Sequence, residues 1–229
     1  MASDAVIVRD WDRRPPRGGT AVVIDVLRFS TTVCALLAAR RRRVVVARTP
    51  AALRRLPGLS GCDVYSELDF RSRGRRFDNS PHMAFSVRSP RPAAVTTGTG
   101  ARALFAARGA DEVLIGGFAN FSALLRRLRR AKGPIRLLPA AARWSGHRDA
   151  VEDLACAEAL SRALGGSRGE AAKGVRRVVR AGRVEEHRRF RPFSADIDLD
   201  YCLRVDRLPL VPRARFTGPS TARLSKVNA

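Results

Sequence analysis

Apolar and polar positions along the chain fall into short apolar runs alternating with helical patterns. "TAVVID" (20–25) reads as a buried strand and "STTVCALLAARR" as the helix after it, with Ser30 or Thr31 as cap. "RVVVA" (43–47) is a second strand, and "TPAALRRL" starts a helix with a Thr cap and Pro at its first position. "CDVYSEL" reads as a short strand and "RSRGRRFDNSPHMAF" as a Gly- and Pro-marked loop. Three strand and helix pairs follow: "PAAVTT" with "GARALFAARGA", "EVLIGG" with "NFSALLRRLRRAKG", and "IRLLPA" with "DAVEDLACAEALSRAL". Residues 165–191 predict one helix over 170–181 and otherwise loop, and "DIDLDYCLRVDRLPLVP" predicts strand. Strands separated by helices imply an α/β fold, a three-layer α/β/α arrangement around a mostly parallel central sheet. The expected organisation is a single domain over 1–212, opening with a strand and loop over 1–19, and a flexible C-terminal tail over 213–229.

Acids are scarce, 21 against 44 basic residues, so their positions carry information. Asp25, Glu67, Asp69, Asp78, Glu152 and Asp153 fall just past predicted strands. In open parallel sheets, ligands bind outside the carboxyl ends of the strands. "DVLRFSTT", "SELDF" with "FDNSP", "TTGTG" and "SGHRDAVED" all satisfy that placement. Carboxylates there can hold a hard cation such as Mg²⁺, Arg28 can grip a phosphate, and helix-start amides can hold anions. Each group also has a structural reading: Asp25 with Arg28 as an ion pair, Ser30 as a cap, Glu152 and Asp153 as first-turn acids. His147 is a weak acid–base candidate, and Asp149 shares a helix face with Asp153. Gly98-x-Gly100-x-x-Ala103 loosely matches a dinucleotide fingerprint, but the next strand does not end in the acid that holds a ribose.

Composition narrows the function classes. In 229 residues, a hydrophobic content of 45% supports a sizeable core. No apolar run reaches the roughly 18 residues of a membrane span, and the N-terminus lacks a signal-peptide apolar region, so a cytoplasmic protein is expected. Four separated cysteines without a C-x-x-C argue against zinc and dithiol chemistry. The net charge of +23 suggests nucleic acid, but 41 of the 44 basic residues are arginine, and Asn occurs three times and Gln never. That bias looks like GC-rich coding drift, so nucleic-acid contact is expected only non-specifically, through net charge.

Taken together, "VVIDVLRFSTT", "FDNSP", "TTGTGARAL", "VEDLACAEAL" and "DIDLDYCLRVDRLPLVP" resemble, in order and over roughly residues 20–212, the motifs of the 2-phosphosulpholactate phosphatase family. These are Mg²⁺-dependent phosphatases known from coenzyme M biosynthesis. The chain departs from the family pattern in four places. The Asn of a Thr-Thr-Asn-Gly-Thr turn is absent and the turn is one residue longer, Ser66 replaces a Gly, the loop before "NSP" is shorter, and the stretch between the Glu-Asp helix and the closing strand lacks the expected pattern. The resemblance implies a phosphatase for a small phosphorylated acid, with Mg²⁺ as cofactor. Catalytic groups would be Asp25, Arg28, and one of Glu152 or Asp153. Metal ligands would be Asp25, Glu67 and Asp78, with Asp25 as ligand or nucleophile left open. Ser30, Thr31, Asn79, Ser80, Thr96, Thr97, Gly98 and Gly100 would bind substrate. A homodimer is left open. The alternatives are a catalytically degenerate member, a basic polyanion-binding protein, or a dehydrogenase-like protein.

Overall fold

A computed structural model describes residues 5–141 and 151–227. Its strands are β1 (Ala5–Ile7), β2 (Thr20–Ile24), β3 (Val44–Ala47), β4 (Asp63–Tyr65), β5 (Arg75–Phe77), β6 (Ala93–Val95), β7 (Glu112–Gly116), β8 (Ile135–Pro139), β9 (Val211–Gly218) and β10 (Thr221–Val227). Its helices are α1 (Phe29–Ala38), α2 (Pro50–Arg54), α3 (Pro81–Ser86), α4 (Gly100–Ala106), α5 (Phe121–Leu128), α6 (Val151–Leu164), α7 (Glu170–Arg180), α8 (Arg183–Phe190) and α9 (Ala195–Leu203). The strands form one sheet in the order β1-β8-β2-β7-β9-β10-β3-β6-β4-β5. Pairing is parallel within β1-β8-β2-β7 and within β3-β6-β4-β5. The β9–β10 hairpin joins the two blocks by antiparallel pairing. The fold is therefore α/β with a mostly parallel sheet.

β2 is buried throughout, as expected of a strand covered on both faces. Its residues divide by the period of two. Ala21 and Val23 pack with Phe29, Val33 and Leu36 of α1 and Leu104 of α4. Val22 and Ile24 pack with Leu124 and Leu128 of α5 and Leu160 of α6. Val44, Val46 and Val95 of the second block join the first of these clusters. α1 therefore packs against both blocks, and this shared helix is what brings their strand ends together. Thr99, beyond β6, donates a hydrogen bond to Asp25, beyond β2, at 3.0 Å.

The structure corrects three expectations. The tail expected over 213–229 is, over its described residues 213–227, part of the sheet: β9 and β10 lie mid-sheet, with Val211, Ala222 and Leu224 buried. Their period-two alternation is present in the sequence, but arginines at alternate positions give it the look of a polar tail. "DIDLD" alternates like a strand yet lies in α9, because Ala195, Asp198, Leu199 and Cys202 are buried at i, i+3, i+4 and i+7. The expected loop at 71–85 contains β5 and the start of α3, and the loop expected after residue 181 contains α8.

A chain ending at Pro212 would lose most of the hairpin that links β7 to β3. It should show no cooperative thermal transition by circular dichroism. A tail would leave the melting temperature unchanged.

Candidate active site

Asp25 follows β2 directly and is buried. Its Oδ1 accepts the Phe29 N–H at 3.1 Å and its Oδ2 accepts the Thr99 hydroxyl at 3.0 Å. Ser30 Oγ accepts the Asp25 N–H at 2.9 Å, and Thr31 Oγ1 lies 3.4 Å from the Val26 carbonyl. Both hydroxyls therefore brace the turn from β2 into α1. Gly100 is required by close approach: a Cβ there would lie 2.6 Å from Asp25 Oδ2 and 2.5 Å from the Phe29 ring. Burial, then the charges of Glu67 and Glu152, push the Asp25 carboxyl up to about 7.

Glu67 comes from the loop after β4. Its Oε1 accepts the Gly98 N–H at 2.7 Å, while its Oε2 is buried with no hydrogen-bond partner. Thr97 Oγ1 accepts the Ala101 N–H at 2.9 Å, whereas Thr96 Oγ1 and Asn79 Oδ1 are buried without partners. Asp153 has a structural role. Its oxygens accept the N–H groups of Val26 (2.8 Å) and Ala141 (3.1 Å), tying the ends of β2 and β8 to α6. Burial, reinforced by Asp25 and Glu152, holds its carboxyl well above the ordinary range. Glu152 is gripped through both oxygens by Arg183, at 2.8 and 2.9 Å.

Arg28 and Asp78 form a second group. Arg28 is buried, and its Nη1 lies 2.6 Å from Asp198 Oδ2 and 2.8 Å from Asp78 Oδ2. Asp198 also accepts the Ser80 hydroxyl at 2.6 Å, and Ser80 Oγ caps α3 by accepting the Met83 N–H at 3.2 Å. Arg191 Nη1 contacts both Asp78 oxygens at 2.9 Å. Burial opposes ionisation of Asp78, but the hydrogen bond and charge of Arg28 and the charge of Arg191 hold its carboxyl below the ordinary value. His187 lies near these groups with a buried, unpartnered Nε2; burial, then the charge of Arg28, lowers it to about 4.

The expected residues thus divide. Asp25, Glu67 and the 96–100 turn meet at one place. Asp78, expected as a third metal carboxylate, pairs with two guanidiniums instead. Among the described residues, no group of three or more His, Cys, Asp or Glu side chains is disposed to hold a metal. Asp198, Arg183, His187 and Arg191 were not anticipated. Asp198 was detectable as a scarce acid at helical spacing from buried neighbours, and Arg183 and His187 share one face of α8 at i and i+4, with Arg191 directly after the helix. His147 and Asp149 lie outside the described residues.

Carboxylates and unpartnered polar atoms at the carboxyl ends of strands from two blocks define an α/β enzyme for a small anionic ligand. Comparison with family models makes this specific. The model described as 2-phosphosulpholactate phosphatase matches residues 10–216, and the chain belongs to that family. It is accordingly a phosphoric monoester hydrolase for a small phosphate ester. Comparison with individual curated proteins gives no match. Among the described residues, no helix is long and apolar enough to cross a membrane.

Two outcomes follow from the charges. Arg28→Ala would leave Asp198, with 0% exposure, without its guanidinium. Removing one partner of a buried pair costs about 3–5 kcal/mol, readable by urea denaturation, and a loss below about 1 kcal/mol would refute the assignment. For Asp25, the folded value near 7 exceeds the ordinary 3.8, so the folded state holds the proton more tightly. Its stabilising contribution is complete below about pH 4 and is lost as pH rises through about 7. In metal-free buffer Asp25→Asn should therefore melt above wild type at pH 8, with the advantage gone by pH 4. Parallel pH profiles of the two proteins would contradict this.

Proposed function

We propose that the chain catalyses Mg²⁺-dependent hydrolysis of a small phosphate monoester bearing further acidic groups. The family description points to (R)-2-phospho-3-sulpholactate, which would give 3-sulpholactate and phosphate. The observation that carries this reading is the set of unpartnered atoms. Buried polar atoms nearly always find hydrogen-bond partners. Among the described residues, five buried side-chain atoms lack one, and three of them belong to Glu67, Asn79 and Thr96. A ligand at the strand ends would supply what they lack.

The donor set fits Mg²⁺, which binds through one or two carboxylates and otherwise takes water and substrate phosphate oxygens. Asp25 and Glu67 would hold it, and Asp78 is not needed. Bound there, the ion would offset negative charge on the phosphoryl oxygens. The chain's own residues provide positioning. Phe29 and Thr99 fix the Asp25 carboxylate, the Gly98 amide fixes Glu67, and the unpartnered Thr96 hydroxyl can donate to the ester, whereas Asn79 Oδ1 can only accept, from water or the leaving alcohol. Arg28 is a positioning residue in this reading, because two aspartates already occupy it. Hydrolysis breaks the bond between phosphorus and the ester oxygen. Water supplies the new oxygen on phosphorus, and the alcohol leaves with a proton.

Loss of one preorganised polar group in such a site typically costs about 3 kcal/mol in the transition state. Asp25→Asn should thus lower turnover of 2-phospho acids by about a hundredfold or more. EDTA should abolish wild-type turnover and added Mg²⁺ restore it. Turnover that ignores EDTA, or is equal in Asp25→Asn, would remove the proposal.

A further inference from the structure

α8 buries none of its residues. A helix without an apolar face has little reason to dock. This one is tied by charge at both ends. Arg183 grips Glu152 at 2.8 and 2.9 Å, and Arg191, directly after the helix, reaches Asp78 at 2.9 Å. Arg183, His187 and Arg191 fall at i, i+4 and i+8, so one side of this segment faces the groups around Asp78 and Glu152.

Arg191 differs from the other guanidiniums there. Asp78 does not depend on it, because Arg28 holds the same carboxylate at 2.8 Å. Among the described residues, Arg191 makes hydrogen bonds through Nη1 only, leaving Nε and Nη2 unengaged. Its side chain is 32% exposed. It lines a cavity of about 430 Å³ together with Ser66, Glu67, Asp69, Arg76 and Asp78, where Asp78 is already paired by Arg28 and Asp69 is fully exposed to solvent. That cavity therefore runs between the Glu67 side chain and a guanidinium whose Nε and Nη2 make no hydrogen bond among the described residues. A planar fork of donors matches an acidic group with two or more oxygens.

We propose that Arg191 binds the second acidic group of the substrate, a carboxylate or sulphonate, in this cavity and so sets a preference for phosphorylated acids over plain phosphate esters. This rests on reading Asp25 and Glu67 as the phosphoryl site. The phosphate would lie at the Glu67 end and the acid at the Arg191 end. His187, uncharged at neutral pH, adds no competing cation on the same helix face.

The test is calorimetric binding of two probes to the full chain, with Ca²⁺ in place of Mg²⁺ to slow turnover. The probes are 2-phosphoglycerate and glycerol 2-phosphate, which differ in carboxylate against hydroxymethyl. Wild type should prefer 2-phosphoglycerate by about tenfold or more, the scale of one charge-assisted hydrogen bond. Arg191→Ala should bind glycerol 2-phosphate as wild type does and lose the preference, and Arg191→Lys should keep part of it. A preference that survives Arg191→Ala, an equal loss of both probes, or a wild type that binds neither or does not discriminate would each overturn the proposal. Turnover of p-nitrophenyl phosphate tests the phosphatase reading separately and can succeed where the preference fails.

Discussion

A guanidinium buried between two carboxylates holds the functional end of this protein in place. Arg28 leaves the turn after β2, Asp78 lies before α3, and Asp198 projects from α9, more than a hundred residues further along the chain. None of these charges is tolerable in the interior alone, so each segment is stable only where the other two are. Asp198 extends the constraint by accepting the hydroxyl that caps α3. The placement of α3 and α9 against the sheet thus follows from one cluster, and Asn79, beside Asp78, is carried to the site with it. Within the cluster the Arg28 charge is already balanced by two aspartates.

The neighbouring carboxylates show three uses of one chemical group. Asp153 satisfies backbone N–H groups at two strand ends and is structural. Glu152 anchors α8 through Arg183. Asp25 is raised by burial and then by Glu67 and Glu152, and it in turn helps to raise Asp153. Such crowding is destabilising in the absence of a cation, and uncompensated strain of this kind is characteristic of sites kept for function rather than stability.

How much of this was legible in the sequence depends on how each segment is buried. β2, β7 and β8 were readable because strands covered on both faces are nearly all apolar. The β9–β10 hairpin and α9 were not. Arginines occupy the outward positions of one, and alternating aspartates in the other imitate a strand while the buried residues keep a helical period. Asp25, Glu67 and the 96–100 turn were legible because acids and hydroxyls just past strands have few structural uses. How Asp78, Glu152 and Asp153 would be used was not legible: Glu152 and Asp78 meet Arg183 and Arg191, in and just after a helix whose polar sequence gives no packing signal, and Asp153 meets backbone N–H groups at two strand ends.

The arginine excess bears on how the acids are used. With 44 basic residues against 21 acidic ones, many carboxylates are taken up by basic neighbours. Asp63 has two arginines, Asp78 has two, and Glu170 has an arginine and a lysine. Asp25 and Glu67, like Asp153, have no such pairing among the described residues. Glu67 differs from Asp153 in keeping one buried oxygen without a partner. Asp25 and Glu67 are held instead by a hydroxyl and backbone amides, which orient carboxylates without neutralising them. In the proposed function these are the two carboxylates an added Mg²⁺ would use, because neither is neutralised by a guanidinium and one keeps a free oxygen.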